Sequence, residues 1–208
     1  MIRSRAFTVF LLIQWALLAG PAAHGNESAV LVLGDSISAA LGVPSGAGWV
    51  DLLREQLARE HPREVINASI SGETSEGGKA RLPALLAEHR PGIVILELGG
   101  NDALRGFPLA LTRDNLLAMI TSAREAGAEV LLLGMRIPPN YGPRYTEQFE
   151  AMYREIADQT GVASVAFLLQ GIATDPALMQ EDGIHPRTAA QQTILNNVLP
   201  ALTPLIRK

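Results

Sequence analysis

Five residues, spread over most of the chain, are of types that together could break an acyl bond. In "VLVLGDSISAALG" (30–42) an aliphatic run stops at Gly34, and Asp35 and Ser36 follow side by side. A serine that leaves a buried strand through a glycine can stand at the sheet edge, but its hydroxyl is a weak nucleophile without an adjacent base. "DGIHP" (182–186) offers that base. Asp182 stands three residues before His185, close enough to orient one imidazole nitrogen while the other takes a proton from serine. The plainer reading of "DGIHP" is a turn followed by a helix start. Donors for a developing oxyanion are also present. The backbone N–H of Ser36, that of Gly72 in "SISGETS" (69–75) and the side-chain amide of Asn101 in "GGND" (99–102) could each serve. Taken singly, "GGND" is also an ordinary polar turn.

Other residues are set aside by context. His61 in "REHP" and His89 in "EHRP" fall near predicted helix ends, where histidine commonly faces the dipole or solvent. Asp35 and Asp102 read as acids that tie loops together. The chain has no cysteine, which excludes a thiol nucleophile, a thiolate metal site and disulfides. No histidine pair has metal-ligand spacing, so neither metal nor cofactor is expected.

These residues need a frame that gathers them. Five apolar runs have the length of buried strands: 29–33, 64–68, 93–98, 129–134 and 162–167. Each is continuous rather than alternating, which suits strands covered on both faces. Helical patterns lie between them at 48–60, 76–90, 112–127 and 146–161, with Thr112 and Thr146 as caps and Gly127 and Gly161 as stops. A last helical segment from about 188 to 206 is expected to break at Pro200 and Pro204. The alternation predicts an α/β fold, an open and mostly parallel sheet with helices on both faces. In such folds ligands bind beyond the carboxyl ends of the strands, and "GDS", "SGETS", "GGND" and "DGIHP" all fall there.

The amino-terminal "MIRSRAFTVFLLIQWALLAGPAAHGNES" has Arg3 and Arg5, an apolar stretch to about Gly20 and small residues around 22–25. That order predicts a signal peptide over residues 1–25 and a periplasmic or secreted domain over 26–208. An uncleaved anchor is the alternative, although the apolar run is short for a membrane span. Past residue 25 the chain carries 15 basic and 21 acidic residues, a net charge of −6. That balance argues against nucleic acid as a partner. Nothing else predicts a membrane-spanning segment, and a monomer suffices. With 48% hydrophobic residues over its whole length, the chain has enough to rest on a core alone.

The four blocks in this order resemble the SGNH branch of the GDSL-type lipases and esterases, over nearly the whole of residues 26–208. Serine, glycine, asparagine and histidine of that family match Ser36, Gly72, Asn101 and His185, and its acid matches Asp182. The resemblance implies a three-layer, flavodoxin-like α/β/α sandwich with a five-stranded parallel sheet. It also implies a serine esterase acting through an acyl-enzyme on small acyl esters and thioesters, among them aryl esters and lysophospholipids. Two departures are visible: Ile37 replaces the leucine of the family name, and Ala103 stands where glycine is usual. Leu104, Phe107, Ile137 and Tyr141, in 103–111 and 135–145, are candidates for an acyl groove. A carbohydrate O-deacetylase with the same machinery is the enzymatic alternative. A phosphate-binding module is disfavoured by Asp35 in the first loop, which would repel an anion.

Overall fold

The computed structural model describes residues 29–207, so the segment expected to be a signal peptide lies outside the described residues. Five parallel strands form one sheet in the order β2-β1-β3-β4-β5: β1 Val30–Gly34, β2 Val65–Asn67, β3 Ile93–Glu97, β4 Glu129–Leu133 and β5 Ala163–Val165. Six helices accompany them: α1 Trp49–Glu60, α2 Ser75–His89, α3 Gly100–Leu104, α4 Leu109–Glu125, α5 Pro143–Thr160 and α6 Gln191–Ile206.

Side chains alternate across a strand, and both faces of this sheet are covered. Leu31, Leu33, Val94, Leu96, Val130 and Leu132 pack with residues of α2, α4 and α5. Val30, Val32, Ile93, Ile95, Leu131 and Leu133 point the other way, toward α1 and α6. This is why the strands read as unbroken apolar runs. The edge strands β2 and β5 have only three residues each and are partly exposed. The buried amide of Gln191 ties the two helices of one layer together, its Oε1 accepting from the Trp49 N–H at 2.9 Å.

The helix boundaries depart from expectation at three places. Helix α4 starts at Leu109, behind Pro108, and Thr112 is not its cap. Thr112 is buried within the helix, and its hydroxyl donates to Asp102 at 3.3 Å. Helix α5 starts at Pro143, whose fixed φ suits the first helical position, so Thr146 lies inside the first turn and bonds back to the Gly142 carbonyl. Helix α6 runs through Pro200 and Pro204 without ending. Both prolines are on its exposed face, where carbonyls left without an N–H partner meet water. Val198, Leu202, Leu205 and Ile206 on the opposite face hold it to the sheet.

Beyond β2 the chain crosses to the other side of β1, because β2 and β3 flank β1 on opposite edges. A crevice therefore opens between the carboxyl ends of β1 and β3, where an α/β sheet characteristically binds its ligand. Among the described residues no helix is long and apolar enough to cross a membrane.

Candidate active site

The nucleophile candidate occupies that crevice. Ser36 is nearly buried two residues past β1, and its Oγ lies 2.8 Å from His185 Nε2. His185 Nδ1 is 2.6 Å from Asp182 Oδ2. The other carboxylate oxygen of Asp182 accepts from the N–H groups of Ile184 at 2.9 Å and His185 at 3.0 Å. The turn thus fixes the acid against its own backbone before it orients the imidazole. Partial burial pushes the Asp182 carboxyl up, but the His185 and Ile184 amides and the imidazole outweigh it and hold it lowered to about 2. It is an anion at neutral pH, suited to stabilise an imidazolium.

The candidate oxyanion donors come from three segments of the chain. Gly72, beyond β2, has φ +81°, a conformation that glycine adopts without strain. Among the described residues no acceptor engages the backbone N–H groups of Ser36 and Gly72. Asn101 is in the first turn of α3, in a stretch expected to be an irregular turn. Its Nδ2 already donates to Asp35 Oδ2 at 3.1 Å and to the Glu73 carbonyl at 3.0 Å. The amide is therefore held in place by the protein, and an oxyanion would have to share or displace one of those acceptors.

Asp102 ties loops together, as expected. It accepts from the N–H and hydroxyl of Ser75 at 2.8 and 2.5 Å, joining the start of α2 to α3. One acid in the site was not singled out from the sequence. Glu97 ends β3 fully buried, and its Oε2 accepts from the Asp35 N–H at 3.0 Å and from the Ser38 hydroxyl at 2.7 Å. The signal was a lone acid within the apolar run "IVILEL".

Ser36, Asn101 and His185 open onto a cavity of about 580 Å³. Its apolar walls include Ile37, Leu104, Met135, Ile137, Phe167 and Ile184. Of the four groove candidates, Leu104 and Ile137 line it. Phe107 and Tyr141 do not. Tyr141 instead donates its hydroxyl to the Leu104 carbonyl at 3.0 Å, and the Phe107 carbonyl accepts from the Tyr145 hydroxyl at 2.8 Å, so both brace the rim. Met135 and Phe167 were not singled out: Phe167 read as the last residue of a buried strand, whereas β5 ends at Val165, and Met135 directly follows the residue after β4. Arg136 also lines the cavity, its guanidinium 4.6 Å above the Phe167 ring and 2.5 Å from Glu150. Among the described residues no group of three His, Cys, Asp or Glu side chains could hold a metal.

Comparison with known proteins agrees with this fold. Residues 32–193 match the GDSL-like Lipase/Acylhydrolase family. Esterase TesA of Pseudomonas aeruginosa is 55% identical over 178 residues, covering 85% of this chain and 89% of its own. A crystal structure of TesA, also 55% identical, superposes with a TM-score of 0.83 and covers 85% of this chain and 99% of that one. An arylesterase of Vibrio mimicus is 43% identical, covering 87% of this chain and 91% of its own. The thioesterase 1/protease 1/lysophospholipase L1 of Escherichia coli is 43% identical, covering 85% and 84%.

Proposed function

Because the chain belongs to the GDSL-like lipase/acylhydrolase family, and is thus a serine ester hydrolase, we propose that Ser36, His185 and Asp182 carry its reaction. The observation that supports this reading best is the continuous hydrogen-bonded chain from Asp182 through His185 to Ser36, ending at an apolar cavity. Ser36 Oγ attacks the acyl carbon as its proton passes to His185 Nε2, and Asp182 stabilises the resulting imidazolium. The tetrahedral oxygen is held by the N–H groups of Ser36 and Gly72 and by the Asn101 amide. Collapse returns the proton to the leaving oxygen or sulfur and leaves an acyl-serine. Water, activated by the same imidazole, then releases the acid. No cofactor is required.

The substrates are small acyl esters and thioesters, with the acyl chain along Leu104 and Ile137. Relatives named arylesterase and thioesterase/lysophospholipase support aryl esters, acyl thioesters and lysophospholipids as the range. The deacetylase alternative is not favoured, since an acetyl group would use little of the apolar wall. The test is hydrolysis of p-nitrophenyl esters from acetyl to palmitoyl. Turnover extending to medium and long chains is expected, and turnover confined to acetyl would overturn the acyl-cavity reading. The kcat/KM is also expected to fall as pH drops through about 6, where the Asp35 carboxyl, raised to that value by burial, takes up a proton and lets go of the Asn101 amide, and a profile flat down to about pH 4 would remove that dependence.

Residues 1–25 direct the chain across the inner membrane, residues 26–208 are the hydrolase domain, and the enzyme works in the periplasm or outside the cell as a monomer. Arg3, Arg5 and the apolar stretch behind them support this reading. The mass of the exported protein measures it directly. A chain retaining its first 25 residues would overturn it.

A further inference from the structure

Beneath the proposed nucleophile lie two acids with no cation between them among the described residues. Glu97 is fully buried at the end of β3, and Asp35 is 3% exposed immediately past β1. The strands bring them together: Gly34 pairs with Glu97 in the register, and a Cβ at Gly34 would fall 2.5 Å from Glu97 Oε2. The glycine of "GDS" is thus required by the close approach of that carboxyl.

Every contact of the pair leads to the reacting groups. Glu97 Oε2 holds the Asp35 N–H and the Ser38 hydroxyl, which flank Ser36 on either side. Asp35 Oδ1 accepts from the Ile37 N–H at 3.0 Å, and Oδ2 accepts from the Asn101 amide. Glu97 Oε1 is buried with no hydrogen-bond partner among the described residues. The titratable groups facing the pair are His185, which acts on Asp35, and Tyr153, whose buried hydroxyl donates to the Leu98 carbonyl and also faces Asp102. No lysine or arginine bonds to either carboxyl among the described residues. Two carboxylates cannot both stay ionised in such a place.

We propose that Glu97 is protonated in the working enzyme and acts as a positioning residue, gripping both sides of Ser36 while leaving Asp35 as the one carboxylate that fixes the Asn101 amide. Burial first, and then the Asp35 charge, push the Glu97 carboxyl well up from its ordinary value. Burial also raises Asp35, to about 6, against the opposing effects of the Ile37 amide, Glu97, His185 and Asn101. Asp35 is therefore the member of the pair that ionises first as pH rises. A charged Glu97 would oppose that ionisation, whereas a neutral one supports it.

The inference rests on the assignment of Ser36 and Asn101 given above, so its test includes a readout that does not depend on turnover. Infrared spectra at about pH 8 should contain a protonated-carboxyl stretch that is lost in Glu97→Gln. Kinetics supply the second arm. Glu97→Gln, neutral and of the same shape, is expected to keep kcat within about threefold and to leave the acid limb of the pH profile in place. Glu97→Leu orphans the Asp35 N–H and Ser38 hydroxyl and is expected to lower kcat by about tenfold or more with little change in KM. Absence of the infrared band, an acid limb displaced downward in Glu97→Gln, or equal damage from both substitutions would each overturn the proposal. If Ser36→Ala remains active, the site assignment itself fails, and that outcome is separable because the infrared band is independent of it.

Discussion

Replacing Ser36 by alanine is expected to reduce ester hydrolysis by about 10⁴–10⁶-fold, to the level that oxyanion donors and binding alone provide. The argument is geometric. Ser36 Oγ is the hydroxyl held 2.8 Å from His185 Nε2 at the opening of the apolar cavity. A general base with nothing to activate gives only a weak water reaction. Among the described residues the side chain makes no other hydrogen bond, so the melting temperature should move by no more than about 3 °C. His185→Ala should cost about as much, and the double variant hardly more, because parts of one proton-transfer unit do not add. Purified Ser36→Ala with turnover near that of wild type would remove the serine from the mechanism. Additive losses in the double variant would show that the two residues act separately.

The second large effect is expected at Asn101. Alanine there should lower kcat by about 10²–10³, the usual loss for one oxyanion donor. KM should change little, since the amide is needed most when charge develops on the carbonyl oxygen. The structure adds a complication of known sign. Asn101 Nδ2 is also the donor to Asp35 and to the Glu73 carbonyl, so alanine leaves the largely buried Asp35 carboxylate without the hydrogen bond to its Oδ2. The acid limb of the profile should then move to higher pH, as the ionised form of Asp35 loses support. A kcat within threefold of wild type would reduce Asn101 to a brace between loops. Single-turnover measurement with p-nitrophenyl esters separates the two cases.

Much of this was legible in the sequence, for reasons that differ by element. The strands could be read because helices cover both faces of the sheet, which leaves long aliphatic runs such as 93–96 with no polar interruption. Ser36, Asp182 and His185 could be read because each follows a strand, and a parallel sheet puts all such loops on one edge. The cavity wall was only half legible. Leu104 and Ile137 sit near recognisable blocks, but Phe167 reaches the cavity from the irregular course just after β5. Tyr141 and Phe107 have the composition of a groove, yet their contacts brace its rim. The course of α6 could not be foreseen from Pro200 and Pro204 alone. Whether a proline ends a helix depends on which face it occupies and on the packing opposite, and neither is a local property.

The proposed acid and base are neighbours in the chain, whereas the proposed nucleophile lies 149 residues before the base. This separation has a consequence in time. During synthesis from the amino end, Ser36 emerges long before His185, and for that interval the chain carries a serine with no base. An unpartnered hydroxyl is inert toward esters. Reactivity therefore arrives only when the loop beyond β5 closes over a sheet already laid down, and a chain halted short of that point would be harmless to the acyl compounds around the ribosome.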